Sequence, residues 1–292
     1  MSTSAETTIM EAAPGIDAPL TARDLDRMIP GVLDGLNILA GGANVILQLG
    51  WPGVGHGVAE SRVESGSLLK HPFKRTRTTL TYLAVATMGT AAEKRAYAGA
   101  VNRVHARVHS TDQSPVRYSA MDPELQLWVA ACLYYGFVDS LTKFRKAPAP
   151  EVAADFYRRA EGLGTMLQVR PGLWPADLEA YRAYWAQGLA RVAIDGTVRR
   201  YLNDLAELRF LPKPLAFLFG RFNRFVTTGF LPPELRAAMG FDWDAGRERR
   251  FLRLTRRLGT VNGLMPRVLR QAPYLYVLWD FRRRLRKGLP LV

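Results

Sequence analysis

Apolar side chains recur along this chain at intervals of three and four, and no run of any length alternates apolar with polar, so the pattern predicts helices rather than strands. Residues 74–88 (KRTRTTLTYLAVATM) form one such segment, closed by Gly89. Thr90-Ala91-Ala92-Glu93 then has the form of a capping box and starts the next helix. At 100° per residue, that helix places Tyr97, Ala98, Val101, Val104, His105 and Val108 on one stripe. His109 lies at the edge of the stripe, and Arg103 and Arg107 fall opposite. Asp122-Pro123-Glu124 joins an N-cap to a first-turn proline and opens a largely apolar helix that runs to about Phe144. Trp128 and Cys132 on that helix read as buried. Pro150, Pro175, Pro214, Pro232 and Pro273 mark further starts, and Gly188, Gly229, Gly240 and Gly288 further stops. The Pro148 to Pro150 stretch could divide two lobes, but it is short. The expectation is therefore one all-α globular domain of roughly ten helices over residues 21–292.

Composition narrows the picture. Hydrophobic residues make up 48% and charged residues 23% of the 292, which excludes a disordered chain. The single cysteine, Cys132, excludes an internal disulfide and a cysteine-based zinc site. Residues 1–20 lack a basic n-region and an apolar h-region, so they read as a disordered lead rather than a secretory signal. The stretch from Val32 to Trp51 has the length of a membrane span. It contains Asp34, Asn37, Asn44 and Gln48 and several glycines, which fits a buried, closely packed segment instead. A cytoplasmic protein is expected, with peripheral contact at the inner face of the membrane as an option. The net charge of +14 is concentrated in residues 241–292, which hold thirteen Arg or Lys against four Asp or Glu.

All four histidines, His56, His71, His105 and His109, fall within 54 residues. An imidazole in the middle of an apolar stripe needs a partner for each ring nitrogen. For His105, one solution is a metal on one nitrogen; the other is a neutral core ring bonded to a backbone carbonyl. The HARVH spacing suits a zinc protease, but Ala106 stands where the general-base Glu belongs. A ferritin-like di-iron centre needs Glu three residues before each His, whereas Asn102 and Ala106 occupy those places. A haem needs one axial imidazole, an apolar slot and basic groups for its propionates, all of which this chain contains. Arg75 and Thr79, spaced i, i+4, share a helix face and could hold a propionate or stabilise oxygen-derived charge. Lys74, Arg75 and Arg77 either solvate the first turn of their helix or attend a bound anion. Three cations oppose the dipole at a helix N-terminus, so local stability does not explain them.

Five segments in order carry a resemblance. They are GVAES (Gly57 to Ser61), the P-x-x-R-x-x-x-T of Pro72 to Thr79, the H-x-x-V of His105 to Val108, Y-x-A-x-D-P-E-L-x-x-W-V (Tyr118 to Val129) and GFLPPELR (Gly229 to Arg236). Over about residues 28 to 275 the chain resembles the helical haem-oxygenase family that includes the fungal MpaB oxygenases and the bacterial latex-clearing proteins, closest to its actinobacterial members. The resemblance implies a helical domain enclosing a haem pocket, one haem b held by a proximal histidine, and dioxygen-dependent cleavage of carbon–carbon double bonds in isoprenoid chains. The matching iron ligand is His105, not His109, and Arg75 and Thr79 match the Arg and Thr that flank the haem. Glu60 stands in the region of the acidic residue proposed as a base. The chain departs from the family at Thr78, where rubber oxygenases carry a lysine that can cap the iron. It departs again at His109-Ser110, where many relatives place a glycine.

The leading expectation is a haem b-dependent oxygenase acting with dioxygen on an apolar, unsaturated, isoprenoid- or lipid-like substrate, with Arg75, Thr79 and Glu60 at the chemistry. A non-catalytic haem carrier or sensor is the alternative. A nucleic-acid binder using the basic tail finds no helix-turn-helix or interleaved aromatic pattern to support it. The tail itself, with Leu275, Leu278, Trp279, Leu285 and Leu289 on an apolar face, reads either as a docked helix or as a surface for weak, salt-sensitive contact with anionic membranes. Arg282, Arg283, Arg284, Arg286 and Lys287 would supply that contact.

Overall fold

Local capping signals set most of the element boundaries. The computed structural model describes residues 20–61, 63 and 69–292, and the expected lead at residues 1–20 lies, but for Leu20, outside them. A capping box between Thr21 and Asp24 opens α1 (Ala22–Met28). A 3₁₀ turn (Gly35–Ala40) runs into α2 (Gly41–Leu49), and α3 (Pro52–Ala59) begins on a first-turn proline. Pro72 and Gly89 bound α4 (Pro72–Met88), and the Thr90–Glu93 box starts α5 (Ala91–His105). Asp122 caps α6 (Pro123–Phe144). Then follow α7 (Pro150–Ala160), α8 (Gly162–Thr165), α9 (Leu178–Ala190) and α10 (Gly196–Ala206), the last two capped by Asp177 and Asp195. The chain ends through α11 (Lys213–Phe230), α12 (Pro233–Met239), α13 (Ala245–Leu264) and α14 (Arg267–Arg286). Among the described residues fourteen α-helices thus exceed the roughly ten expected, because several are short. Among the described residues the sole β pairing is a bridge between His109 and Ser119.

The core is built around α6, whose faces feed two hydrophobic clusters. Leu127, Ala130, Ala131, Tyr134, Phe137 and Leu141 join α4, α7 and α14 on one side. Trp128, Cys132 and Phe144 join α2, α10, α11 and α13 on the other. Full burial of a Leu or Phe in such clusters contributes about 1.5–3 kcal/mol each. Trp128 stacks between Trp51, at 4.7 Å between centroids, and Trp185, at 5.2 Å, and Tyr135 continues the column on Trp185 at 4.4 Å. Buried Asp34 ties distant helices together. It accepts hydrogen bonds from Arg145 at 2.7 Å, Arg270 at 2.7 Å and Asn262 at 2.6 Å.

Several sequence expectations are corrected. Gly188 lies inside α9 rather than ending it, because the Trp128 ring occupies the space a Cβ would need there. Gly229 likewise lies inside α11, against the Phe251 ring. Both glycines are packing positions, whereas Gly240 and Gly288, with φ of 67° and 63°, do follow helix ends. Pro273 stands inside α14, which begins earlier at Arg267; its ring packs against Gly35, so tertiary contact offsets the lost backbone bond. The buried face of α14 is Tyr274, Val277, Leu278 and Phe281, while Trp279, Leu285 and Leu289 are exposed. Val32 to Trp51 is broken into two short elements, and no helix among the described residues is long and apolar enough to cross a membrane.

Candidate functional site

The link of Gly89 and Thr90 folds α4 and α5 into a hairpin, clamped where the Tyr97 hydroxyl donates to the Thr78 carbonyl at 2.7 Å. This brings the end of α5 back to the beginning of α4. Helix α5 stops at His105 itself. The Ala106 N–H still reaches the Asn102 carbonyl, but Arg107 and Val108 form tighter bonds to Val104 and His105. The expected stripe is therefore cut short, and Val108 and His109 are not on the helix. His109 is exposed in the following segment, in its bridge with Ser119, so the two histidines do not stack one turn apart.

His105 Nδ1 is buried and has no hydrogen-bond partner, and the same is true of Asn102 Oδ1 one turn earlier. Burial first, and then the positive charge of Arg75, pull the imidazole pKa down from its ordinary 6.5 to about 4. The ring is thus neutral near pH 7 and keeps a lone pair for a ligand. The core alternative required a carbonyl bonded to the ring, and Nδ1 has no such bond. Arg75 is exposed at the start of α4, with its charge also felt at Tyr97, and Thr79 is half-buried one turn further on. Arg77, grouped with them by sequence, instead faces the buried Asp280 of α14 at 3.5 Å. That tertiary ion pair explains one of the three opposing cations.

Glu60 belongs to a different constellation. It ends α3 and takes His56 Nδ1 at 2.5 Å on one carboxylate oxygen. Its other oxygen accepts from Ser114 at 2.9 Å and Tyr118 at 3.3 Å. His56 is buried, and its Nε2 faces Asp195 at 2.9 Å. Burial would raise the Glu60 carboxyl, but donation by His56, Ser114 and Tyr118 holds it below the usual carboxylate range. The Val198 backbone N–H, with His56, does the same for Asp195. The sequence reading missed this group, although the i, i+4 spacing of His56 and Glu60 was a local signal for half of it.

Two cavities, of about 450 Å³ and 260 Å³, are lined by other residues, so the expected haem pocket at His105 is neither of them. Among the described residues no three His, Cys, Asp or Glu side chains are placed to share a metal ion. The donor set at His105 is a single neutral imidazole, which suits an iron carried in a porphyrin and not a bare ion.

The sequence profile of a family described as "ER-bound oxygenase mpaB/B'/Rubber oxygenase, catalytic domain" matches residues 31–260. Two mycobacterial relatives, the Uncharacterized protein Mb2261 of Mycobacterium bovis and the Uncharacterized protein Rv2237 of Mycobacterium tuberculosis, are each 49% identical over 251 residues. That alignment covers 86% of this chain and 98% of the relative. No solved structure matches the chain.

Proposed function

This chain belongs to the mpaB/rubber oxygenase catalytic-domain family, and from that premise we propose that it is a haem b-dependent oxygenase acting on an apolar, unsaturated, isoprenoid- or lipid-like substrate. The observation that carries the haem assignment is the buried, unpartnered Nδ1 of a neutral His105 beside Arg75. A core histidine would have its ring nitrogens bonded, whereas a neutral ring without such a bond at Nδ1 keeps a lone pair that a haem iron would take. Bound there, haem supplies a redox centre that activates dioxygen.

The protein's own groups then have distinct tasks. His105, at the end of α5, would hold the iron. Arg75, exposed at the start of α4, would pair with a propionate. Thr79, on the same face of α4, would offer a hydroxyl as a hydrogen-bond donor near the haem. Glu60 is a poor proton acceptor while three donors hold it ionised. In this reading it is a positioning residue: with His56 it pins Ser114 and Tyr118, and so the segment that follows the iron ligand.

Purified protein is expected to be red-brown with a Soret band and to consume oxygen when given an isoprenoid alkene. A colourless protein after haem supplementation overturns the haem assignment. A Soret band without substrate-dependent oxygen uptake leaves a carrier or sensor instead.

A further inference from the structure

Among the described residues, exposed apolar side chains gather on two stretches, the turn from α13 into α14 (Val261, Leu264, Met265, Val268 and Leu269) and the first half of α11, and only the second forms one continuous helical stripe. Leu215, Leu218, Phe219 and Phe222 recur at i, i+3, i+4 and i+7, the stripe by which a helix normally enters a core. Here the stripe faces outward: Leu218 is 64% exposed and the other three 44–48%. The second half of the same helix, from Val226 to Phe230, is buried. An anchored helix thus projects its apolar stripe from the body of the molecule.

The other flank of that projecting half is cationic. Phe217, Gly220, Arg221 and Arg224 line the cavity of about 450 Å³ together with Glu207 and Arg209. Three guanidinium groups meet one carboxylate there, and Glu207 pairs with both Arg209 and Arg224. Lys213 and Arg221 are exposed on the same half of α11. Arg209 also pairs with Asp204 at 3.4 Å, which leaves Arg221 and Lys213 as the exposed cations there, and three arginines of the C-terminal cluster are engaged within the molecule as well. Arg282 pairs with Glu93 at 2.7 Å, and Arg283 and Arg284 pair with Asp280 at 2.8 Å and 2.6 Å.

We propose that the first half of α11 is a membrane-docking helix, which inserts Leu215, Leu218, Phe219 and Phe222 into the interface of a bilayer containing anionic phospholipid while Lys213 and Arg221 meet its headgroups. Charge decides between this occupant and a second copy of the chain. Two stripes facing one another would bring like cations together on a protein of net charge +14, whereas an anionic bilayer satisfies both the apolar and the cationic groups. Size agrees, because the four exposed side chains offer on the order of 400 Å², below the ~800 Å² per partner of a stable protein interface. The inference goes beyond the oxygenase reading and is independent of haem.

The test is flotation of the full chain with vesicles of phosphatidylcholine alone or mixed with phosphatidylglycerol. Wild type should bind the mixed vesicles, less so at high salt. The double variant Leu218→Ser with Phe222→Ser should bind roughly tenfold more weakly at an unchanged melting temperature. Neutralising Arg286 and Lys287 should change binding by less than about twofold. Absence of wild-type binding overturns the proposal, as does equal binding by the stripe variant. A wild-type dimer that the stripe variant converts to monomer also overturns it, in favour of a second copy. A probe on Phe219→Cys, selective because Cys132 is fully buried, gives an independent readout. Its emission should shift to the blue with mixed vesicles, while the same probe on exposed Arg249→Cys should not respond; a silent probe at position 219 overturns the proposal.

Discussion

His56 and His105 are both withdrawn from water, and the two surroundings treat them in opposite ways. His56 sits on α3 with a carboxylate oxygen at each ring nitrogen, Glu60 at 2.5 Å and Asp195 at 2.9 Å. His105 ends α5 with a buried nitrogen that nothing bonds, and the charge that acts on it is a cation, Arg75. The first environment completes the side chain and joins α3 to the N-cap of α10. The second leaves the side chain incomplete. Burial without a partner is unfavourable in a structural residue, and the proposal that His105 takes a ligand rests on this difference.

The comparison breaks most sharply with His105→Ala. That variant should lose the Soret band while its metal-free form unfolds at the same urea concentration as wild type or higher, since an unsatisfied buried atom has been removed. A normal Soret band in it would place the iron elsewhere. His56→Ala should do the reverse: haem retained, stability lower by about 2 kcal/mol in urea titration, because two half-exposed carboxylates lose their shared partner. Arg75→Ala should weaken haem retention by roughly tenfold, for one lost charge-assisted contact. Thr79→Ala should keep the haem and alter turnover alone; retention assays and oxygen uptake distinguish the two.

Acid titration of the metal-free protein sharpens the contrast further. The folded His105 pKa of about 4 lies below its ordinary 6.5. Between these values the unfolded chain binds a proton that the folded one does not, so stability is full above 6.5 and falls as pH drops toward 4. Glu60 and Asp195 are held below their ordinary 4.5 and 3.8, so their contribution is full above those values and is lost only at lower pH. His105→Ala should flatten the upper limb of the stability curve, and His56→Ala the lower one. The smallest effect belongs to His109→Ala: exposed, and ruled out as a stacked partner of His105, it should change neither the Soret band nor stability by more than ~0.5 kcal/mol.

Much of the α4–α5 hairpin was legible because its signals are local. Gly89 and the Thr90–Glu93 box act within a turn of where they stand; α5 begins where the box indicates, and α4, expected from residue 74, begins two residues earlier at Pro72. The end of α5 was not legible. The stripe continues through Val108 in sequence, but the Ser110 N–H donates to the Tyr118 carbonyl and the Ala120 N–H to the Val108 carbonyl, and that pairing draws the chain off the helix. Pro273, Gly188 and Gly229 were misread for a related reason. Each has a strong local meaning that a packed neighbour, Gly35, Trp128 or Phe251, overrides.

By itself the sequence determined the helical class, most helix starts, the family and the candidacy of His105, because periodicity, caps and ordered motifs depend on residues near one another. Tertiary structure alone decided which candidates share surroundings. It gave Arg77 to Asp280, Glu60 to His56 and Asp195, and left His105 Nδ1 buried without a bond beside the charge of Arg75. It also turned the stripe of α11 outward, where a sequence pattern alone would have placed it in the core. The physical reason is that burial and pairing belong to the space around a side chain, and residues as far apart as 56 and 195 fill that space only once the helices have packed.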